Sequence, residues 1–143
     1  MSSLSDYLAA YLATDYWALS APGGPFVIRV GQFSERLASH FRSQEVASAL
    51  FITAYNPFSI PTPAGENELG QARLRSRLGN LTPVVWIGEG RGRIGDWPPE
   101  PSFLALGIDY DTACAFGREF GQNAIIFTGA DVVPSLVMLR GGA

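Results

Sequence analysis

The sequence predicts an α+β fold with a ferredoxin-like core over about residues 49–128. Short apolar runs and helical segments follow one another in the order strand, helix, strand, strand, helix, strand, which is the split βαβ pattern. The 143 residues are 47% apolar and 16% charged, a composition typical of a globular chain with one core. We therefore expect a single globular domain, residues 1–143, with an N-terminal helix and strand-helix extension before the core and a C-terminal edge strand after it.

The extension before the core is predicted to contain a helix, a strand and a second helix. Apolar residues alternate over residues 26–30, as they do in a strand with one partly wet face. Ser34 is a suitable N-cap for a helix that runs to about Arg42. Four apolar residues of the first helix share one face at helical spacing, which predicts a packing surface: Leu4, Leu8, Tyr11 and Leu12.

The first half of the core begins with residues 49–55, which are apolar on both faces as in a central strand. Proline cannot donate to a strand ladder, so this strand ends at Asn56 and Pro57. The next helix opens at Glu66 and ends near Gly79. A second buried strand is predicted over residues 84–87, and residues 88–101 are expected to form a loop rich in glycine and proline.

The second half of the core is predicted to start with a strand over residues 102–106. Asp109 is a suitable N-cap for a helix that runs to Phe120, and Gly121 occupies the position of a left-handed C-cap. Residues 124–127 form the fourth buried strand. An edge strand over residues 136–139 follows Pro134 and completes the predicted sheet.

The basic residues and the single cysteine exclude several kinds of chemistry. All ten basic residues are arginines, so Schiff bases and a P-loop lysine are excluded. Cys114 is the only cysteine, so no internal disulfide can form and we expect a reducing, cytoplasmic location. With His40 as the only histidine, the sequence predicts no metal site and no cofactor.

The net charge and the distribution of apolar residues limit the kinds of partner that we expect. A formal charge of −3 and a pI of about 5.0 do not favour nucleic acid or an anionic membrane surface. No run of residues approaches the roughly 20 apolar positions of a membrane span, and no signal peptide is evident. We expect no nucleic-acid partner and no membrane; the sequence leaves the oligomeric state open.

The predicted topology brings polar residues from distant segments to one edge of the sheet. The end of the first core strand, the start of the first core helix, the loop at residues 89–100 and the end of the second core helix all lie there. Asparagine and glutamine at such positions also satisfy orphan backbone groups, so a purely structural role is the alternative for each. The candidate ligand-binding residues are Asn56, Asn67, Glu68, Glu100, Arg118, Gln122 and Asn123, with Glu66 beside them.

A glycine motif in the predicted loop does not indicate nucleotide binding. Residues 90–95 match GxGxxG and follow a strand. In a Rossmann fold a helix must begin at this motif so that its N-terminus meets the phosphate. Here Asp96 and two prolines follow instead, so we interpret the match as accidental, with Arg91 and Arg93 exposed on a loop.

Four stretches together give the chain a family resemblance. They are residues 53–57 (TAYNP), residues 66–68 (ENE), Trp97 with residues 100–102 (EPS), and residues 120–124 (FGQNA). In this combination the chain resembles a bacterial family of small uncharacterised proteins known as a domain of unknown function, over about residues 16–127. The resemblance implies a small bacterial protein and supplies no activity, cofactor or catalytic residue.

Three functional hypotheses follow from these candidates. The first is a binding module for a small polar ligand or a protein segment, because amides donate and accept while Arg118 can meet a carboxylate or phosphate. The second is a small hydrolase-like enzyme with Glu68 or Glu100 as the general base and amides at an oxyanion. The third is an interaction subunit that pairs with a protein partner through the apolar edge at residues 134–139.

Overall fold

A computed structural model of the chain describes residues 4–95 and 97–139. Within these residues the fold is mixed α+β, with four helices and a seven-stranded antiparallel sheet. None of these helices has the length and apolar character that crossing a membrane requires. The elements in chain order are α1 Leu4–Leu12, β1 Thr14–Ala18, β2 Phe26–Ile28, α2 Glu35–Gln44, β3 Ala49–Ile52, α3 Ala64–Gly79, β4 Val85–Gly92, β5 Glu100–Leu106, α4 Tyr110–Glu119, β6 Ala124–Thr128 and β7 Ser135–Met138.

The strands lie in the order β2-β1-β4-β5-β3-β6-β7, and every neighbouring pair is antiparallel. Strands β3 and β4 therefore run in one direction, and β5 and β6 run in the other. Strand β7 lies at the edge beside β6, which confirms the predicted C-terminal edge strand.

The two faces of the sheet bury separate apolar clusters. Helix α2 packs Leu37 and Phe41 against one face, together with Phe51, Leu104 and other inward side chains. Helices α3 and α4 cover the opposite face. The apolar cluster on that face contains residues of these helices and alternate residues of the strands, including Leu74, Leu78, Ala113, Phe116, Leu50 and Ile125. Because neighbouring strand residues point to opposite faces, each central strand serves both clusters.

Two helix starts agree with the sequence because capping is a local interaction. The Ser34 side chain accepts a hydrogen bond from the Leu37 backbone N–H, and α2 begins at the next residue. The Asp109 side chain accepts one from the Thr112 backbone N–H at the start of α4. Gly121 has the left-handed backbone expected beyond the end of α4, with φ of 68°.

The region from Thr14 to Gly92 differs from the sequence prediction in two ways. Strand β1, Thr14–Ala18, was not predicted, so the extension contains two strands rather than one. The prediction of a loop from residue 88 was wrong, because β4 continues to Gly92. Both differences have one cause: β1 pairs with β4 from Thr14↔Gly92 to Ala18↔Gly88, and these hydrogen bonds hold a glycine-rich segment extended.

The predicted packing face of α1 is only partly buried. Leu8 is 39% exposed and Leu12 is 48% exposed. Tyr11 is half-buried, and its carbonyl accepts a 2.8 Å hydrogen bond from the Tyr16 hydroxyl. Helix α1 is therefore attached to the sheet mainly through its tyrosine side and not through Leu8 and Leu12. The side chain of Leu4, also predicted for this face, lies outside the described residues.

Candidate functional site

Polar side chains from three separate segments meet at one end of the sheet. Asn56 follows β3, Asn67 lies in the first turns of α3, and Glu100 begins β5. The Asn56 Nδ2 atom donates to Glu100 Oε2 over 2.9 Å, and Asn67 Nδ2 donates to Asn56 Oδ1 over 3.0 Å. Residues 44 positions apart in the chain are thus joined in one network.

Asn56 and Asn67 hold each other through a reciprocal pair of hydrogen bonds. The backbone N–H of Asn56 donates to Asn67 Oδ1 over 2.8 Å, while Asn56 Oδ1 accepts from Asn67 Nδ2 and from the Thr62 backbone N–H. Asn67 Nδ2 also donates to the Thr62 carbonyl. Both amides are therefore occupied in shaping the chain between β3 and α3.

The chain after Asn56 has an unusual backbone. Asn56, Phe58 and Ser59 have φ of 46°, 60° and 60°, in the left-handed region that non-glycine residues rarely adopt. The Phe58 N–H donates to the Gly121 carbonyl over 2.7 Å, and a Cβ on Gly121 would lie 3.0 Å from Pro57 Cβ. Conformations of this kind cost about 1–3 kcal/mol each and persist only where the surroundings fix them.

Gln122 and Asn123 connect the end of α4 to the same chain segment. Both side chains are buried. Gln122 Nε2 donates to the backbone carbonyls of Tyr55 and Phe120, over 3.3 and 3.2 Å. Asn123 Nδ2 donates to Ser59 Oγ over 2.8 Å. These amides stabilise the loop beside the network.

Tyr11 extends this group of hydrogen bonds to α1. Burial raises the pKa of the Tyr11 phenol, while a hydrogen bond with Ser59 and a weaker one with Asn123 act in the opposite direction. The phenol therefore stays protonated at neutral pH, and it ties the first helix to the strained loop.

Glu100 differs from the amides because one of its carboxylate oxygens has no hydrogen bond within the described residues. Its Oε2 atom accepts from Asn56 Nδ2 over 2.9 Å and from Trp97 Nε1 over 3.0 Å. Its Oε1 atom makes no hydrogen bond to any residue in the described part of the chain. The carboxyl group is half-buried and forms no ion pair within residues 4–95 and 97–139.

Beside Glu100 lies a cavity of about 310 Å³, here called the α1 cavity. Helix α1 forms one wall, the sheet forms the floor, and the loops after β3 and β4 form the rim. Its volume is at the lower end of the range for small-molecule sites. It is lined by Asp6, Tyr7, Ala10, Tyr11, Thr14, Tyr16, Phe51, Ile52, Thr53, Tyr55, Asn56, Ser59, Gly90, Gly92, Ile94, Trp97, Glu100, Ser102, Gln122, Ala124, Ile125 and Ile126.

Glycines on β4 create space in the floor of the α1 cavity. Gly90 pairs with Tyr16 on one side and Glu100 on the other, so the three positions form one row across the sheet. A Cβ on Gly90 would have nothing closer than Thr14 Cγ2 at 3.8 Å. The site of a missing side chain is thus open volume, two residues from Gly92, which also lines the cavity.

Four of the seven candidate residues do not line the α1 cavity: Asn67, Glu68, Arg118 and Asn123. Glu68 is exposed on α3 and does not line the α1 cavity, so the structure does not place it with Glu100 there. Arg118 is exposed on α4 and lines a second cavity of about 290 Å³ on the α3–α4 side, together with Glu66 and Asn67. The residues that line the α1 cavity among the candidates are Asn56, Glu100 and Gln122.

Several residues of the site had no signal that the sequence reasoning used. Tyr11 and Tyr16 line the cavity, yet Tyr11 was assigned only to a packing face and the strand that carries Tyr16 was not predicted. The alternation Gly88, Gly90, Gly92 does have the period of two that marks a strand face. It could have indicated a strand face without side chains.

Comparisons with known proteins give a family and no activity. A family described as "Protein of unknown function (DUF3293)" matches residues 52–125, just over half of the chain. The matched range contains Asn56, Asn67, Glu100 and Gln122. No curated protein matches the sequence, and no solved structure matches the fold.

Proposed function

We propose that this protein, which belongs to the DUF3293 family, binds a small ligand in the α1 cavity through the carboxylate of Glu100. The observation that carries the proposal is the unequal use of the two carboxylate oxygens. Oε2 is held by Asn56 and Trp97, while Oε1 has no hydrogen bond within the described residues. A carboxylate held in this way is already oriented for a donor group on a ligand.

The amides of the site are proposed to position the carboxylate and not to contact the ligand. Asn67 is engaged on both polar atoms with Asn56 and Thr62. The NH2 group of Gln122 donates to two backbone carbonyls. Their role is to fix Asn56, which in turn donates to Glu100.

The walls favour a ligand with an apolar or aromatic body. Tyr7, Tyr16, Phe51 and Trp97 line the cavity beside its single half-buried carboxylate Glu100. Aromatic side chains offer a large apolar contact area, and a few placed polar groups then fix orientation. A small ring with one donor group matches both features of the α1 cavity.

We also propose that β3, α3, β4, β5, α4 and β6 form a ferredoxin-like unit. The support is the strand order β4-β5-β3-β6, in which each crossover helix joins two strands that run the same way with one strand between them. In this arrangement β1, β2 and α1 are additions, and the α1 cavity lies where they meet the unit.

A thermal-shift screen of small aromatic compounds with donor groups tests the binding proposal. We expect a bound compound to raise the midpoint of wild-type unfolding, because a ligand that binds only the native state stabilises it. Gly90→Val fills the open floor position and should remove the shift, and Glu100→Gln should reduce it. Glu68→Gln, an exposed carboxylate outside the cavity, is the matched control and should keep the full shift.

The screen has a clear adverse result. If the compounds that stabilise the wild type stabilise Gly90→Val equally, binding takes place elsewhere on the protein. The intrinsic unfolding midpoint of each variant without compound is the baseline for its shift, so any stability change of the variant itself does not confuse the comparison.

A hydrolase that uses Glu100 alone as general base is a second candidate. The same open Oε1 atom favours it, because a base must reach the proton that it removes. Glu68, the other general base that the sequence suggests, does not line the cavity. Turnover of a panel of aryl esters and amides by the wild type, lost in Glu100→Gln, is expected under this candidate; equal turnover by the variant would exclude Glu100 as the base.

An interaction through the edge strand remains a third candidate. Strand β7 pairs with β6 on one side and has no strand partner on the other within the described residues. An open edge is able to pair with another chain. Light scattering across a dilution series tests this: a mass that stays monomeric at every concentration argues against self-pairing.

A further inference from the structure

Among the described residues that line the α1 cavity, the charged side chains are all acidic. Its ionisable acidic residues are Asp6 and Glu100, and no arginine or histidine is among the described residues that line it. We infer that the ligand of this cavity carries a positive charge: an organic cation of the ammonium class attached to a small apolar body. This inference rests on the binding function proposed above and adds the ligand's charge.

The sheet itself separates the nearby arginines from the cavity. Gly90 and Gly92 face the cavity, so Arg91 between them points to the opposite side of β4, where it is ion-paired with Glu89 and lies over the Trp17 ring. Arg91 pairs in register with Asp15, which neighbours the cavity residues Thr14 and Tyr16 in β1 and so also faces away.

The other arginines that the structure describes near this end of the sheet are also occupied. Asp15 accepts from Arg29 Nε over 2.8 Å and is ion-paired with Arg93 over 3.1 Å. The arginines of α3 belong to the other face, where Arg73 and Arg77 lie over the rings of Phe120 and Phe116. No cation of the described chain is placed to neutralise Glu100.

The contacts available inside the cavity suit a cation better than a neutral donor or an anion. Glu100 Oε1 can only accept, so it can take a hydrogen bond from an alcohol or an ammonium group, and the ammonium group adds the attraction between opposite charges. Aromatic faces also attract cations, and Tyr16, Phe51 and Trp97 line the same space. An anionic ligand would meet the Glu100 carboxylate, which forms no ion pair within the described residues.

Three probes with one phenyl body separate charge from shape: phenethylamine, phenethyl alcohol and phenylacetate. Their affinities for the wild-type protein are measured by ligand-observed NMR at neutral pH. We expect the amine to bind about tenfold more tightly than the alcohol, because only the amine adds attraction between opposite charges to its hydrogen bond, and we expect phenylacetate to bind most weakly.

Variants then assign the preference to the cavity. Glu100→Gln should bring the amine and the alcohol to equal affinity, Gly90→Val should abolish binding of both, and Glu68→Gln should change neither. Added salt should weaken binding of the amine and leave binding of the alcohol unchanged, because salt screens the attraction between charges.

Each adverse outcome has a distinct meaning. If the alcohol or phenylacetate binds as tightly as the amine and Gly90→Val removes binding, the cavity binds ligands but the inferred charge is wrong. If no probe binds, or if binding persists in Gly90→Val, the proposed cavity function itself fails and the inference fails with it.

Discussion

Asn56 and Glu100 lie 44 positions apart, and the side-chain amide of the first donates a 2.9 Å hydrogen bond to the carboxylate of the second. The contact joins the chain after β3 to the start of β5. Asn56 achieves this from a left-handed backbone with φ of 46°, a conformation that asparagine tolerates better than most residues. Its side chain also accepts from Thr62 and Asn67, so one residue holds three segments together.

Asn56→Ala is expected to lower the free energy of unfolding by about 2–3 kcal/mol. The substitution leaves the Thr62 N–H, Asn67 Nδ2 and Glu100 without their partner, and alanine is less suited to positive φ. Urea denaturation measures the effect. Asn80→Ala, at an exposed helix end, is the matched control and should change stability by less than about 0.5 kcal/mol. Equal losses in the two variants would show that the Asn56 network contributes nothing.

Gly117→Ala is expected to destabilise the protein by about 1–2 kcal/mol in spite of the higher helix propensity of alanine. A Cβ at this position would overlap Leu139 Cδ1 and lie 2.8 Å from Ile125 Cγ2, so α4 would be forced away from β6. Gly79→Ala, where a Cβ meets no atom within 4 Å, should instead gain about 0.5 kcal/mol. Thermal denaturation of both variants gives the comparison. A stabilising Gly117→Ala would mean that the helix and sheet are not in close contact here.

The ion pair of Asp15 should make stability depend on acid pH. The hydrogen bond from Arg29, with the charges of Arg29 and Arg93, holds the pKa of Asp15 below its ordinary value of 3.8. Because the folded pKa is the lower one, the contribution is present above about pH 4 and is lost as pH falls through the folded pKa. Arg29 is partly exposed, so we expect only about 0.5–1 kcal/mol.

Comparing Asp15→Asn with wild type tests this dependence. The variant should be less stable at pH 7, and the difference should disappear at pH 2. High salt should also reduce the difference at pH 7, because it screens a pair that is partly exposed. A difference that stays constant from pH 7 to pH 2 would show that charge is not its cause.

Cys114, the only cysteine in the chain, can report local unfolding around α4. It is buried on α4 with 5% of its surface exposed. We expect a thiol reagent to label the native protein about a thousandfold or more slowly than the protein unfolded in guanidinium, since reaction requires opening of the α4 face. Rapid labelling of the native protein at the unfolded rate would contradict the packing of α4 described here.

Local chemistry made parts of this fold predictable from the sequence. Ser34 and Asp109 cap helices through bonds to backbone groups three residues away, so the residue type and its position are sufficient. The apolar runs that became β3 and β6 were recognisable because both of their faces are buried. The same reasoning failed from Gly88 to Gly92, where glycine usually indicates a loop and pairing with β1 and β5 keeps the chain extended.

The sequence predicted some residues of the candidate site but not their arrangement. The sequence indicated Asn56, Glu100 and Gln122 as polar residues at the ends of elements, and all three line the α1 cavity. It also indicated Glu68 and Arg118, which the structure places elsewhere. The sequence could not distinguish amides that hydrogen-bond to backbone groups from a carboxylate with one oxygen free of hydrogen bonds. This distinction depends on distances between segments that are far apart in the chain.

The sequence by itself determined the mixed α+β content, the starts of α2 and α4, and the absence of lysine chemistry and of an internal disulfide. These follow from composition and from interactions between near neighbours. Only the tertiary structure decided that Gly90, Tyr16 and Glu100 form one row beneath a cavity, and that Arg91 lies on the other side of the sheet. A strand places neighbouring side chains on opposite faces, but which face meets a helix, a cavity or solvent is fixed only when the strands pair.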